Sequence, residues 1–244
     1  MATIPRVEVT RPALVPYPFG LFSVATTPPP ADVHWQAGVW WPSSACGTTG
    51  VTEGPCNVDL PVPGLDSNVV CGQSVGHAFT VYARSDESVG GAPLAEKFAN
   101  ARATLLAGEQ YAVEQHVWGL LVADAGEVVG GGSAVAALGA VEQAIADNYG
   151  GSPVVHMNRL TTTLAYEAVQ RDGTKLATLL GSQVVAGGGY ASNIVIATGS
   201  VVIMRSEVFD LGQHFDRDIN SVSAVVERTY VVGWDCAAVR ANIS

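Results

Sequence analysis

The chain has 244 residues, 48% of them hydrophobic and only 14% charged, with 27 Gly and 13 Pro; this is a globular composition and excludes a disordered or collagen-like chain. Twelve Lys and Arg against 22 Asp and Glu leave a net charge of -10, which repels a polyanion and excludes a sequence-reading DNA-binding face. No stretch approaches a membrane-spanning run, and the opening MATIPRVEV lacks an apolar signal core, so the protein is read as made and folded in a cytoplasm, with no membrane partner.

Residues 1–75 hold most of the prolines and three of the five tryptophans, without helical periodicity. Short alternating runs such as Val33 to Trp41 predict an extended segment broken by turns. Trp35, Trp40 and Trp41 are then exposed rings that must lie on the rest of the molecule or on a neighbouring one, which makes the segment a candidate interaction arm. Cys46, Cys56, Cys71 and Cys236 show no C-x-x-C spacing and are read as reduced thiols, with a Cys46–Cys56 bridge as the alternative.

His77 to Arg84 alternates as a half-buried strand. A helix opening at Pro93 follows, of about 26 residues, with Leu94, Phe98, Ala101, Leu105, Ala112, Val113, Val117 and Trp118 on one face. Glu109 and Glu114 on this helix are expected to be solvated or paired with Arg102 or Lys97. Gly130 to Gly132 break the chain before a second helix, capped by Ser133 and facing inward with Val135, Leu138, Val141 and Ile145. Pro153 to Met157 predicts a buried strand. Asn158 caps a third helix with Leu160, Leu164 and Ala168 inward, stopped at Asp172–Gly173. Strands return from Gln183 onward, through Val184–Val185, Ile194 to Ile196 and Val201 to Ile203, and end in the long run Ser221 to Trp234 and in Cys236 to Arg240. The whole is an α+β or α/β pattern with no internal repeat.

Chemical motifs are sparse. Gly72-Gln73-Ser74-Val75-Gly76 matches the G-x-S-x-G nucleophile elbow, which makes a serine hydrolase using Ser74 one reading. The elbow needs a helix after the serine, whereas Ser74 runs into a strand. The triplets 130–132 and 187–189 lack the flanking residues of a phosphate-binding loop. Five scattered histidines form no zinc pair, and no carboxylates pair for acid–base work. The expectation is therefore no catalytic residues, no metal and no cofactor.

The order of pieces is more telling, and local patterns go with it. Phe79-Thr80-Val81-Tyr82-Ala83-Arg84 leads toward the helix containing Asn100 to Glu114; Val154 to Arg159 runs from strand into a helix; Leu180-Gly181-Ser182-Gln183-Val184-Val185 follows; Val226 to Asp235 and Cys236-Ala237-Ala238-Val239 close the chain. Over roughly residues 75–244 this resembles the major capsid proteins of tailed bacteriophages with the Hong Kong 97-type fold. The L-G-x-P-V-V segment of that family has Gln183 in place of its proline here.

The resemblance implies an α+β fold with an N-terminal arm (1–30), an extended β-hairpin loop (31–75), a peripheral domain with a spine helix (76–127), an axial domain (128–208) and peripheral return strands (209–244). It implies a structural protein rather than an enzyme: a virion subunit that assembles in the host cytoplasm into pentamers and hexamers. Its partners are then itself, possible scaffolding, portal or decoration proteins, and double-stranded DNA packaged without sequence specificity. An encapsulin-like bacterial compartment is the alternative. Inter-subunit contacts are expected at Trp35, Trp40 and Trp41, at Gly187, Gly188, Gly189, Tyr190 and Asn193 around the capsomer axes, and at His214, Asp216, Arg217 and Asp218 at a peripheral turn. The only lysines are Lys97 and Lys175, so the loop cannot form the isopeptide cross-link of some relatives, and no scaffolding segment is expected before the arm.

Overall fold

The computed structural model describes residues 15–24, 27–43, 46, 73–88, 91, 93–128, 132–216, 218, 220–236 and 238–243, with backbone only at 87, 88 and 216. Two sheets share one long helix. The first sheet is built from β1 (Val39–Pro42) and β2 (Gln73–Ser88), with three later strands. Helix α1 (Leu94–Asp124) follows Pro93 and runs for 31 residues, a rod of about 46 Å. It is longer than the periodicity predicted because Leu120, Leu121 and Val122 carry it on.

A two-residue strand β3 (Gly126–Glu127) leads to α2 (Ala134–Ala146), whose Ser133 hydroxyl accepts the Ala136 N–H as the sequence predicted. Then come β4 (Val154–Asn158), a short α3 (Arg159–Leu164), the hairpin β5 (Val169–Asp172) and β6 (Lys175–Thr178), and β7 (Gln183–Gly187). Strands β8 (Ile194–Thr198), β9 (Val201–Arg205), β10 (Phe209–Asp216), β11 (Ser221–Trp234) and β12 (Val239–Asn242) complete the chain.

The first sheet has the order β1-β2-β11-β10, with β9 also paired to β11; the second has the order β3-β12-β8-β4-β7-β6-β5. The first sheet is built around the β2–β11 antiparallel pair, in register from Ser88↔Ser221 to Gly76↔Gly233. One face of this pair meets α1: Ala83 and Val226 pack with Ala101 and Leu105, and Phe79 and Tyr230 with Val113 and Val117. The second sheet buries Val155, Met157, Val184, Val195 and Ala241 beneath Ala137, Leu138, Val141 and Ile145 of α2. No helix among the described residues is long and apolar enough to cross a membrane.

Several expectations are corrected. The segment Pro18–Val24 lies in what was read as a free arm, yet Leu21 is fully buried in the core of its own chain, against α1. α3 ends at Leu164 and a β-hairpin takes the place of its second half. Asn158 caps it by accepting the Thr161 N–H, a phase that turns Thr161, Thr162 and Ala165 inward and leaves Leu160 and Leu164 exposed. Val135 of α2 is likewise exposed. β9, assigned to the axial domain, pairs with β11 of the first sheet, and β12, assigned to the peripheral return, pairs with β8 of the second. Dividing the chain by position hides these crossings, because strand pairing is non-local.

Candidate functional site

The three tryptophans have three different environments. Trp35 sits in a 3-10 turn (Val33–Ala37) whose first turn is capped by the Asp32 carboxylate on the His34 N–H, and it is only 7% exposed within its own chain. It is an intramolecular core ring rather than an exposed anchor. Trp41 is half-buried, its ring lying over Gly76 and Gly233; a Cβ built on Gly233 would stand 2.9 Å from it, so glycine leaves room for the indole. Trp40 is 64% exposed and stands opposite Val75, also exposed, on a sheet edge that no described strand covers. Beside them an open groove of about 570 Å³ is lined by Gly38, Trp40, Val75 and His77. An exposed ring on an open edge is where a second chain finds both apolar area and unpaired backbone groups.

Two further surfaces expose apolar side chains. At one end of the second sheet Leu160, Leu164, Tyr166, Leu179 and Leu180 face solvent, and on the edge strand β10 Phe209, Leu211 and Phe215 do so. The predicted turn residues lie at the tip of the β10–β11 hairpin: His214 and Asp218 are exposed, Asp216 pairs through its backbone with Ser221, and Arg217 is outside the described residues.

The predicted axial loop is placed differently. Gly187 ends β7, Gly188 approaches the Tyr17 ring, and the Gly189 N–H donates to Glu114 Oε2 of α1 at 3.0 Å. A Cβ on Gly189 would come within 2.5 Å of the Tyr111 carbonyl oxygen. Tyr190 is buried and stacks on Trp118, with ring centroids 4.8 Å apart, while Asn193 adopts a left-handed φ of 69°. Residues 187–190 therefore pack against α1 of the same chain.

Sequence reasoning missed what holds that helix. Glu114 is fully buried and accepts from the Leu21 N–H at 2.8 Å, from Gly189 N–H, from Gln110 Nε2 and from the Tyr17 hydroxyl. One carboxylate thus joins the N-terminal segment, α1 and the second sheet. Burial, then the neighbouring carboxylate, pushes the Tyr17 hydroxyl well above the usual phenol range. Glu109 is also buried, held by Arg228 at 2.9 Å and by the Tyr230 hydroxyl at 2.7 Å. The signal was legible: Glu109 falls between Leu105 and Val113 on the inner stripe of α1. On β4, His156 is buried between the Tyr190 hydroxyl and Thr198 Oγ1, and burial lowers its pKa to about 3.

Ser74 is no nucleophile elbow. It is buried near the start of β2, its hydroxyl donates to Asp235 Oδ1 at 2.9 Å and accepts the Cys236 N–H at 3.3 Å, and the strand runs on to Ser88 instead of turning into a helix. Beside it Cys46 is bonded to Cys236 in a disulfide, which replaces the expected free thiols and the Cys46–Cys56 alternative; Cys56 and Cys71 lie outside the described residues. Sequence separation of 190 residues hid this pairing.

No protein-family model matches the chain, and no curated protein matches it by sequence. Solved structures do. One from Microbacterium phage Oxtober96 matches 100% of this chain and 96% of its own at a TM-score of 0.56 and 11% identity. The asymmetric unit of the bacteriophage PhiM1 mature capsid matches 100% of this chain and 92% of its own at 0.52 and 10% identity. One from Mycobacterium phage Adephagia matches 94% and 92% at 0.52 and 13% identity. The chain has a phage major capsid fold. The capsid fold bears out the expected α+β class, and its neighbours are structural proteins. At this level of identity the likeness extends to architecture, so the surfaces above rest on their own geometry.

Proposed function

We propose that this chain is the major shell subunit of a tailed double-stranded DNA phage, forming pentamers and hexamers that close into an icosahedral capsid around the genome. The observation that carries the reading is the match of the whole chain to the mature PhiM1 capsid subunit. Three exposed apolar surfaces supply the several different contacts that a subunit needs when each neighbour meets it on a different side. A net charge of -10 suits a container whose DNA must slide rather than adhere. Self-association is the primary partnership in this reading. Portal, scaffolding and decoration proteins are secondary, and the virion is the location.

Electron microscopy of the purified protein across salt and concentration tests it. Closed shells or capsomer rings are expected, and shells recovered from infected cells should carry nuclease-protected double-stranded DNA. A protein that stays monomeric or dimeric under all conditions, with and without co-expressed neighbouring phage proteins, overturns the reading.

A further inference from the structure

Cys46 stands just past β1 and Cys236 just past β11, where the chain leaves the first sheet for the second; their Cα atoms are 5.5 Å apart. The surroundings hold both residues for this meeting. The buried Ser43 hydroxyl lies 2.5 Å from Cys46 Sγ and 3.2 Å from Cys236 Sγ. Cys236 itself has a φ of 60°, a left-handed conformation that costs a non-glycine residue free energy, and its N–H is tied to Ser74 Oγ. Asp235 brings a carboxylate within 4.8 Å of both sulfurs.

We propose that Cys46 and Cys236 are a redox-operated staple that fastens the stem leaving β1 to the junction between the two sheets. Among the described residues β1 pairs with β2 through four residues and lays Trp41 over Gly233 of β11, and the disulfide adds a covalent attachment just past its end. In a reducing compartment the pair is two thiols. On meeting a low-molecular-weight disulfide, one thiolate attacks it, forming a mixed disulfide and releasing one thiol; the second protein thiolate then displaces the other. The protein loses two hydrogens and the reagent becomes two thiols, so atoms and electrons balance. The Ser43 hydroxyl can donate to either thiolate, whereas the Asp235 charge opposes thiolate formation and slows the exchange at neutral pH. The staple's geometry belongs to the single subunit; only its consequence for a shell rests on the proposed function.

The test treats unassembled subunit and particles separately with oxidised glutathione or with dithiothreitol, in EDTA because two thiols and a carboxylate also suit zinc. After oxidation, alkylation and non-reducing digestion, peptides containing Cys46 and Cys236 should be found joined. The oxidised subunit should melt about 5–10 °C above the reduced one, given the long loop closed. Cys46→Ser with Cys236→Ser should erase that difference, and Asp235→Asn should hasten oxidation. Full alkylation of either cysteine after oxidation, or bonding of Cys46 to Cys56 or Cys71, overturns the staple. A staple without shells overturns the capsid reading alone, and shells without a staple overturn this inference alone.

Discussion

The inner face of α1 and the edge at β1 invert the usual placement of side chains in opposite directions. On α1 two carboxylates, Glu109 and Glu114, are buried among Leu105, Val113 and Val117; at β1 an indole, Trp40, is left in solvent. Each exception has a different cause. The buried acids are nearly saturated with donors from distant parts of the same chain, so they order the subunit internally. The exposed ring is uncovered by any described strand, so it leaves apolar area open at that edge. Buried polar groups thus mark where the chain is held together, and under the proposed function exposed apolar groups are where it would meet its neighbours.

Three measurements would break or sharpen that contrast. The largest effect is expected at His156, whose folded pKa of about 3 lies below its unfolded value. The folded state binds fewer protons between these values, so its contribution is fully present above about pH 6.5 and is lost as pH falls toward 3. The limit is about 5 kcal/mol, at 1.36 kcal/mol per pKa unit. Denaturant titrations of the parent and of His156→Gln at pH 7 and pH 4 should show the parent losing more stability, and equal losses would remove His156 as the cause.

Glu109→Ala comes next, since it strands Arg228 with a side chain only 12% exposed. A loss of about 3–5 kcal/mol is expected by chemical denaturation. A loss below about 1 kcal/mol would place this pair among ordinary surface salt bridges.

The smallest effect on the subunit is expected at Trp40. Trp40→Ala should shift subunit stability by less than about 0.5 kcal/mol while reducing particle yield in the microscope, whereas Trp35→Ala should cost about 3–5 kcal/mol because it empties a core site. If Trp40→Ala assembles normally, the β1 edge is not an assembly contact.

Local patterns were readable where a cap, a breaker and a stripe agreed. Ser133 and Asn158 cap the helices they were expected to cap, Pro93 precedes α1, and Val154 to Met157 form a buried strand. The misreadings share a cause. Leu160 and Leu164 were turned inward on apolar character alone, although the Asn158 cap sets the phase of so short a helix. Trp35, Trp40 and Trp41 were treated as one cluster, although a 3-10 turn and one strand pleat send them to the core, to solvent and over two glycines. The packing of Gly189 and Tyr190 against α1 was not read from the sequence, because it joins segments far apart in the chain.

The sequence by itself determined the element order, most helix and strand positions, the charge of the subunit and the α+β class, because caps, turn residues and hydrophobic periods act over a few residues. Only the tertiary structure decided that Glu114 clasps the N-terminal segment, that Cys46 meets Cys236, and that β9 and β12 exchange sheets. Those contacts join residues 25 to 190 positions apart, and no local signal specifies a partner at such distance; packing and strand pairing select it.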